Sequence, residues 1–170
     1  MNGNRGLVPK RRFKEFENAG AWEQRKLGDV AIIRTGYPFS SDDFTDNGEY
    51  LIITNGNIQN DSPTVDSTIG NRIAVDNSIL NDYVLNLKDI LITMDGTVGR
   101  TAKVVGKKQI LAQRVGRATA KIDPEFLYQL LNTGDFFKNM TLLSHGGTIK
   151  HISLDQISNY ISYIPLSNEE

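Results

Sequence analysis

Four short segments combine glycine with hydroxyl, amide or cationic side chains, which is the chemistry of a contact surface more than that of a reaction centre. The first is residues 95–100, Asp-Gly-Thr-Val-Gly-Arg. Its glycines would let the backbone approach a phosphate, with Thr97 donating a hydrogen bond and Arg100 pairing with the negative charge. A glycine-rich hairpin turn without a ligand explains the same residues, and the local sequence alone favours that simpler interpretation.

The second segment is residues 111–117, Leu-Ala-Gln-Arg-Val-Gly-Arg. Glutamine and arginine read the edges of adenine and guanine through paired hydrogen bonds. Gln113 and Arg114 are therefore candidates for base contacts, and Arg117 for a phosphate contact. An ordinary charged surface strand is the alternative, and the local sequence again favours it.

The third segment is residues 146–151, Gly-Gly-Thr-Ile-Lys-His. A flexible loop that carries a hydroxyl, a lysine and a histidine suits phosphate and groove contact. Gly147, Thr148, Lys150 and His151 are its candidates. A solvated connection, whose glycines serve only the turn, is the alternative.

The fourth segment is residues 34–39, in which basic and aromatic side chains alternate with small ones. Arg34 and Tyr37 are its candidate contacts, although Tyr37 and Phe39 are equally compatible with a core position.

Each segment is a weak signal, but together they indicate DNA contact more than small-molecule chemistry. We expect base specificity from side chains such as Gln113, Arg114, Asn55 or Asn57, and phosphate contacts from Arg100, Lys150 and Arg117. The full predicted DNA-binding set is Arg34, Tyr37, Asn55, Asn57, Thr97, Arg100, Gln113, Arg114, Arg117, Gly147, Thr148, Lys150 and His151.

Motifs of the common enzyme classes are missing from the sequence. No two glycines are separated by a single residue, so there is neither a dinucleotide fingerprint nor a kinase glycine loop, and there is no P-loop. The chain has no cysteine, and its 2 histidines, His145 and His151, are not at the spacing of a metal-binding helix. We expect no catalytic residue, metal or cofactor in this chain.

The net charge of −1 conceals a block, residues 87–151, in which Lys and Arg outnumber Asp and Glu. Such a block can form a patch for a polyanion, or it can be charge scattered over a solvated surface. The sequence has neither a secretory signal nor an apolar stretch of membrane-spanning length, and we expect a cytoplasmic protein.

The elements that must position these segments are strands first and helices late. Apolar runs predict buried strands at residues 31–35, 50–54 and 90–94, and Asp95-Gly96 predicts a hairpin whose return strand is residues 100–105. Asp123-Pro124 begins a helix that Gly134 ends, a second apolar stripe covers residues 136–143, and Ser153 opens a short helical turn. We expect an α+β fold with a curled mixed or antiparallel sheet.

The ordered pattern resembles the target-recognition domain of type I restriction-modification specificity (S) subunits. The resemblance rests on residues 22–30 (Trp-Glu-Gln-Arg-Lys-Leu-Gly-Asp-Val), on residues 87–92 running into 95–99, on residues 111–116, and on residues 161–170 with their Ile-Pro-Leu…Glu-Glu ending. It covers about residues 20–170, and the set of motifs in this order is more specific than any one of them.

The resemblance implies a non-catalytic DNA reader. In that family a subunit has two such domains separated by long helices, and each domain recognises one half of a bipartite target in double-stranded DNA. The helices dock methyltransferase (M) subunits that methylate adenine, and restriction (R) subunits join them. The resemblance therefore implies S-adenosylmethionine, ATP and Mg²⁺ on the partner subunits and no cofactor in this chain.

We expect three regions: a basic flexible arm at residues 1–20 with Phe13 and Phe16 as anchors, a recognition domain at residues 21–166, and the start of a truncated spacer helix at residues 167–170. Ser167 or Asn168 followed by two glutamates is typical of a helix start. Two alternatives remain open: a half-subunit or remnant that needs dimerisation or domain exchange to act, and a small-ligand-binding enzyme domain.

Overall fold

The computed structural model describes residues 6–75 and 78–165. The strands in these ranges are β1 (Glu23–Lys26), β2 (Ala31–Thr35), β3 (Tyr50–Ile53), β4 (Arg72–Ile73), β5 (Ile90–Thr93), β6 (Thr101–Lys103), β7 (Gln109–Leu111), β8 (Val115–Ala120) and β9 (Ile161–Ile164). The helices are α1 (Leu27–Val30), α2 (Ser78–Asn81), α3 (Pro124–Leu131), α4 (Asp135–Leu143) and α5 (Leu154–Ser158), with 3₁₀ turns at Lys14–Phe16, Ser41–Asp43 and Asn55–Asn57.

The strands form three sheets. The largest has the order β2-β8-β5-β6 and is antiparallel throughout. A second sheet has the order β4-β3-β7, in which β3 and β7 run parallel, and β1 pairs with β9 in a two-stranded sheet. The expected α+β class with mixed and antiparallel strands is confirmed.

Strand β5 is buried on both faces, as its continuous apolar run predicts: Ile90, Leu91 and Ile92 are all fully buried. Its return strand is β6, also as predicted. The hairpin predicted at Asp95-Gly96 is therefore present, and its connection is closed by a hydrogen bond from Thr93 N to Arg100 O of 2.9 Å.

The late helices begin where their capping residues predict. The Oδ1 atom of Asp123 accepts a hydrogen bond from Phe126 N at 2.8 Å, and Gly134 follows α3 with a φ of 90°. Ser153 and Gln156 cap α5 reciprocally.

The helices and the second sheet cover opposite faces of the four-stranded sheet. Phe136, Leu127 and Ile157 from the helices join one buried cluster with Ile90 and Ile92. Strands β3 and β7 contribute instead to a cluster around Leu91 and Val115. This layered arrangement brings the ends of β2, β3, β5 and β7 to one edge of the fold.

Residues 7–22 form a loop whose two ends are hydrogen-bonded to each other. The backbone of Leu7 exchanges two hydrogen bonds with Trp22, at 3.0 and 2.7 Å. The expectation that Phe13 anchors this region is wrong, since Phe13 is 77% exposed; the aromatic contact is made by Trp22, which packs edge-on against Phe126. The predicted helix start at residues 167–170 lies outside the described residues.

Candidate nucleic-acid interface

Loops that follow four strands, together with the connection from α4 to α5, meet at one edge of the fold. We call this surface the loop face, and it consists of residues 35–37, 54–56, 94–97, 112–114 and 145–151. Tyr37 N donates to Leu111 O and Gln113 N donates to Tyr37 O, both at 2.9 Å. Gly36 permits this close approach, because a Cβ atom there would lie 2.1 Å from Leu111 O.

Asn55 joins three of these loops. Its Nδ2 atom donates to Arg114 O at 3.1 Å, and its Oδ1 atom accepts from Met94 N at 3.1 Å. The amide predicted to read a base therefore has hydrogen bonds at both ends within the protein, and it fixes the spacing of the loop face.

Arg114 has an unusual backbone conformation, with a φ of 64° in the left-handed region. A non-glycine residue in this region carries a cost of about 1–2 kcal/mol, so its surroundings must hold it there. Its backbone N donates to the Thr35 hydroxyl at 3.1 Å, and its Nη1 atom lies 3.2 Å from each Asp95 carboxylate oxygen. The side chain of Arg114 remains 64% exposed.

Residues 145–151 form a narrow loop closed at its base. His145 and His151 exchange two backbone hydrogen bonds of 2.9 and 2.8 Å, and Gly96 N donates to Lys150 O at 2.8 Å. Gly146 has a φ of 112°, a value that favours glycine. The loop presents a run of exposed residues: Gly147, Thr148, Ile149, Lys150 and His151.

Thr93 holds the connection from β5 to β6 in place through its hydroxyl group. It is a buried residue that the sequence did not single out. Its hydroxyl donates to Thr97 O at 2.6 Å and accepts from Arg100 N at 2.9 Å. These bonds leave the Thr97 side chain exposed at the tip of the connection.

The loop face thus brings together most of the predicted contacts, which lie far apart in sequence: Asn55, Thr97, Gln113, Arg114, Gly147, Thr148, Lys150 and His151. Tyr37 joins this face through its backbone, while its ring packs 5.1 Å from that of Phe39 and 5.4 Å from that of Tyr83. The core interpretation of Tyr37 is the one that its ring contacts support.

Asn57 does not fit its predicted role in base reading, because it is only 1% exposed. Its amide accepts from Thr54 N at 2.9 Å and donates to Asp66 O and Ile69 O at 2.8 and 2.9 Å. These bonds hold the chain after β3, so Asn57 supports the neighbouring loop and is out of reach of DNA.

Arg117 likewise does not fit its predicted phosphate contact. Its Nη2 atom lies 2.8 Å from the carboxylate of Asp89, and the two side chains are 12% and 2% exposed. Asp89 neutralises this cation inside the protein.

Arg34 and Arg100 lie in clefts apart from the loop face. Arg34 is paired with Arg117 across β2 and β8, and both line a cleft with Tyr50 and Asp82. Arg100 lines a cleft of about 480 Å³ between residues 59–63 and the helices α3 and α4. The structure therefore does not unite these two cations with the other predicted contacts.

The sequence pointed to the segment that contains Asp95 but not to the carboxylate itself. Its partner Arg114 is 19 positions away, and no local pattern reports a pair at that distance. Thr35 and Thr93 were missed for the same reason, since a threonine at the end of a strand is common and its hydroxyl partner is not visible in the sequence.

Within residues 6–75 and 78–165, no group of three or more His, Asp or Glu side chains could hold a metal ion. The helices described there are all too short to cross a bilayer.

The fold is shared with solved structures of restriction-modification proteins. The S subunit of a type I restriction-modification system from M. genitalium matches 95% of this chain with a TM-score of 0.65 and 15% identity. The HsdS subunit from Thermoanaerobacter tengcongensis matches 85% with a TM-score of 0.62 and 16% identity. A structure concerned with complex assembly and conformational transition of the type I R-M system matches 96%, with a TM-score of 0.65 and 16% identity.

This chain spans only 38%, 33% and 38% of the length of those three chains. A search of curated proteins finds no match. The family described as "Type I restriction modification DNA specificity domain" matches residues 20–170, which is most of the chain. The chain therefore belongs to the family of type I restriction modification DNA specificity domains.

Proposed function

We propose that this chain recognises one short half-site in double-stranded DNA through the loop face. The observation that carries the proposal is the convergence of five loop segments, which are joined by backbone hydrogen bonds and by the side chain of Asn55. Gln113, Arg114, Thr148 and Lys150 stay exposed on this surface. A reader of base edges needs such side chains on a surface that does not rearrange, because each misplaced donor loses its partner.

The proposal assigns two different tasks to the exposed side chains. Gln113 and Arg114 would contact base edges, since amides and guanidinium groups distinguish bases through paired hydrogen bonds. Lys150 and the loop around it would contact phosphates and so fix the register on the duplex. Arg34 and Arg100 would take part only where the DNA extends beyond the loop face.

In this proposal the chain is the non-catalytic reader of a larger complex. Methyltransferase subunits that use S-adenosylmethionine, and restriction subunits that use ATP and Mg²⁺, would carry out the reactions in the cytoplasm. The family match over residues 20–170 supports a recognition domain that begins near residue 21. Because a single domain lacks the effective concentration that a second half-site supplies, we expect weak binding by this chain alone.

A salt titration with unmethylated duplexes tests DNA binding. We expect measurable affinity at about 50 mM salt and a linear fall of log K with log salt, since phosphate contacts release counterions. No affinity at that salt concentration, or an affinity independent of salt, would contradict the proposal.

Light scattering after size exclusion tests the partners. The chain is measured alone and with a methyltransferase subunit of the same system. Co-elution supports the assembly, whereas a chain that dimerises by itself supports the half-subunit alternative. A monomer that never joins the complex contradicts the assembly part of the proposal but does not affect the DNA-recognition part.

A further inference from the structure

The ion pair between Arg114 and Asp95 leaves one edge of the guanidinium group open. Both Asp95 carboxylate oxygens lie 3.2 Å from the same atom, Nη1. Within the described part of the chain, Nε and Nη2 of Arg114 make no hydrogen bond, and the side chain is exposed. The two donors on this edge are coplanar and point in the same direction, away from the carboxylate.

Both partners of the pair are fixed through their backbones. The N of Arg114 donates to Thr35 and its O accepts from Asn55, each at 3.1 Å. On either side of Asp95, Met94 O accepts from Ile152 N at 2.9 Å and Gly96 N donates to Lys150 O at 2.8 Å. The pair therefore joins two anchored loops, and the left-handed conformation of Arg114 persists because these contacts hold it.

We propose, on the basis of the function proposed above, that Arg114 reads a guanine in the major groove and that Asp95 is its positioning residue. Guanine presents O6 and N7 side by side as acceptors, and the Nε–Nη2 edge of Arg114 presents two matching donors. Asp95 holds the third nitrogen, which fixes the plane of the guanidinium group before DNA arrives.

The carboxylate also argues against a phosphate contact for Arg114. Asp95 offsets the positive charge locally and repels a phosphate placed beside the pair. A neutral base edge meets no such repulsion, so the pair favours directional hydrogen bonding over attraction to the DNA backbone. An exposed ion pair of this kind contributes little to stability by itself, so stability alone does not account for the placement of Asp95 beside Arg114.

The chain contains a matched control pair. Lys108 has a φ of 56° and forms an exposed ion pair with Glu49 at 2.8 Å, at the end of β7 opposite the loop face. Glu49→Gln therefore repeats the chemical change of Asp95→Asn at a similar pair that the proposal gives no role.

The test is a selection from random unmethylated duplexes at about 50 mM salt with the wild-type chain, Arg114→Ala, Asp95→Asn and Glu49→Gln. We expect the wild-type pool to contain an invariant guanine at one position. Arg114→Ala should lose that preference by roughly 5- to 140-fold, Asp95→Asn should weaken it, and Glu49→Gln should leave it unchanged. Thermal melting of each variant confirms that it is folded.

A second measurement uses 7-deazaguanine at the selected position, which removes the N7 acceptor alone. It should weaken binding by the wild-type chain and have no further effect on Arg114→Ala. A selected guanine that survives in Arg114→Ala, or equal sensitivity of both proteins to 7-deazaguanine, overturns the inference while leaving DNA recognition intact. An unchanged preference in Asp95→Asn overturns the positioning role, and no DNA binding by any of the proteins overturns the proposed function as well.

Discussion

The guanidinium group of Arg117 lies 2.8 Å from the carboxylate of Asp89 beneath the surface of the sheet. Asp89 also accepts from Asn86 N at 2.7 Å and from the Thr119 hydroxyl at 2.8 Å, while Arg117 donates to Val84 O at 3.2 Å. This network attaches the segment before β5 to the central strand β8. Arg117 therefore has a structural role, although it lies in a segment that the sequence predicts to contact DNA.

Removing one member of this pair should destabilise the fold. In Arg117→Ala a buried carboxylate loses its cation, and in Asp89→Asn a largely buried cation loses its anion, so we expect each to lower the free energy of unfolding by about 3 kcal/mol. Chemical denaturation measures the effect. A loss of DNA affinity in Arg117→Ala at unchanged stability would restore the phosphate role and contradict this assignment.

Asn57 should also act through stability. Asn57→Ala removes four hydrogen bonds of a buried amide, and we expect a loss of about 1–3 kcal/mol in the free energy of unfolding. At a temperature where the variant remains folded, its DNA affinity should equal that of the wild-type chain, as measured by fluorescence anisotropy. A folded Asn57→Ala protein with altered base preference would contradict the structural role.

Lys150 should contribute to DNA affinity through its charge and should have no effect on which DNA sequence is preferred. In Lys150→Ala we expect the slope of log K against log salt to become shallower by about 1, with the selected DNA sequence unchanged. Lys107→Ala is the control, because Lys107 is an exposed lysine near the start of β7, at the end remote from the loop face. Equal slopes for Lys150→Ala and the wild-type chain would exclude a phosphate contact by Lys150.

The backbone conformation at position 114 predicts that glycine is more stable than alanine there, which is the reverse of the usual order. Arg114→Gly should be more stable than Arg114→Ala by about 0.5–1 kcal/mol, since a Cβ atom in the left-handed region costs more than the extra chain entropy of glycine. Lys107→Gly and Lys107→Ala, compared by thermal melting, should show no such advantage for glycine. A more stable Arg114→Ala would contradict the strained conformation.

The ion pair between β6 and α3 gives a pH-dependent contribution to stability. Lys103 Nζ and Gln129 Nε2 donate to the Glu125 carboxylate at 2.9 and 2.8 Å and hold the pKa of Glu125 below its ordinary value of 4.5. Because the pKa is lower in the folded state, this stability is present above the ordinary value and is lost as the pH falls through the folded pKa. The advantage of the wild-type chain over Glu125→Gln should therefore shrink below about pH 4.5 in urea denaturation. A difference in the free energy of unfolding between the two proteins that stays constant down to about pH 3 would contradict this prediction.

Local signals in the sequence predicted much of the fold. The Asp123-Pro124 cap, the stop at Gly134, the Ser153 cap and the doubly buried β5 all depend on neighbours within a few residues, and all are found in the structure. Such features need no knowledge of the tertiary arrangement.

The site was less predictable, because the role of a polar side chain depends on partners distant in sequence. Asn55 and Asn57 look alike in the sequence, yet one joins the loops of the loop face and the other is buried beneath them. Arg114 and Arg117 lie in one segment of the sequence, yet the side chain of Arg114 is exposed and that of Arg117 is largely buried. Their acidic partners lie in different segments of the chain.

The pairing of β1 with β9 has a mechanical consequence. Glu23 lies opposite Ile164 and Lys26 opposite Ile161, so the two strands enter and leave the domain side by side at the same end. A pull on both strands from that end would load their hydrogen bonds one pair after another, in an unzipping geometry, because the strands are antiparallel. The small sheet would thus open first, and the four-stranded sheet behind the loop face would carry the load only after these hydrogen bonds have broken.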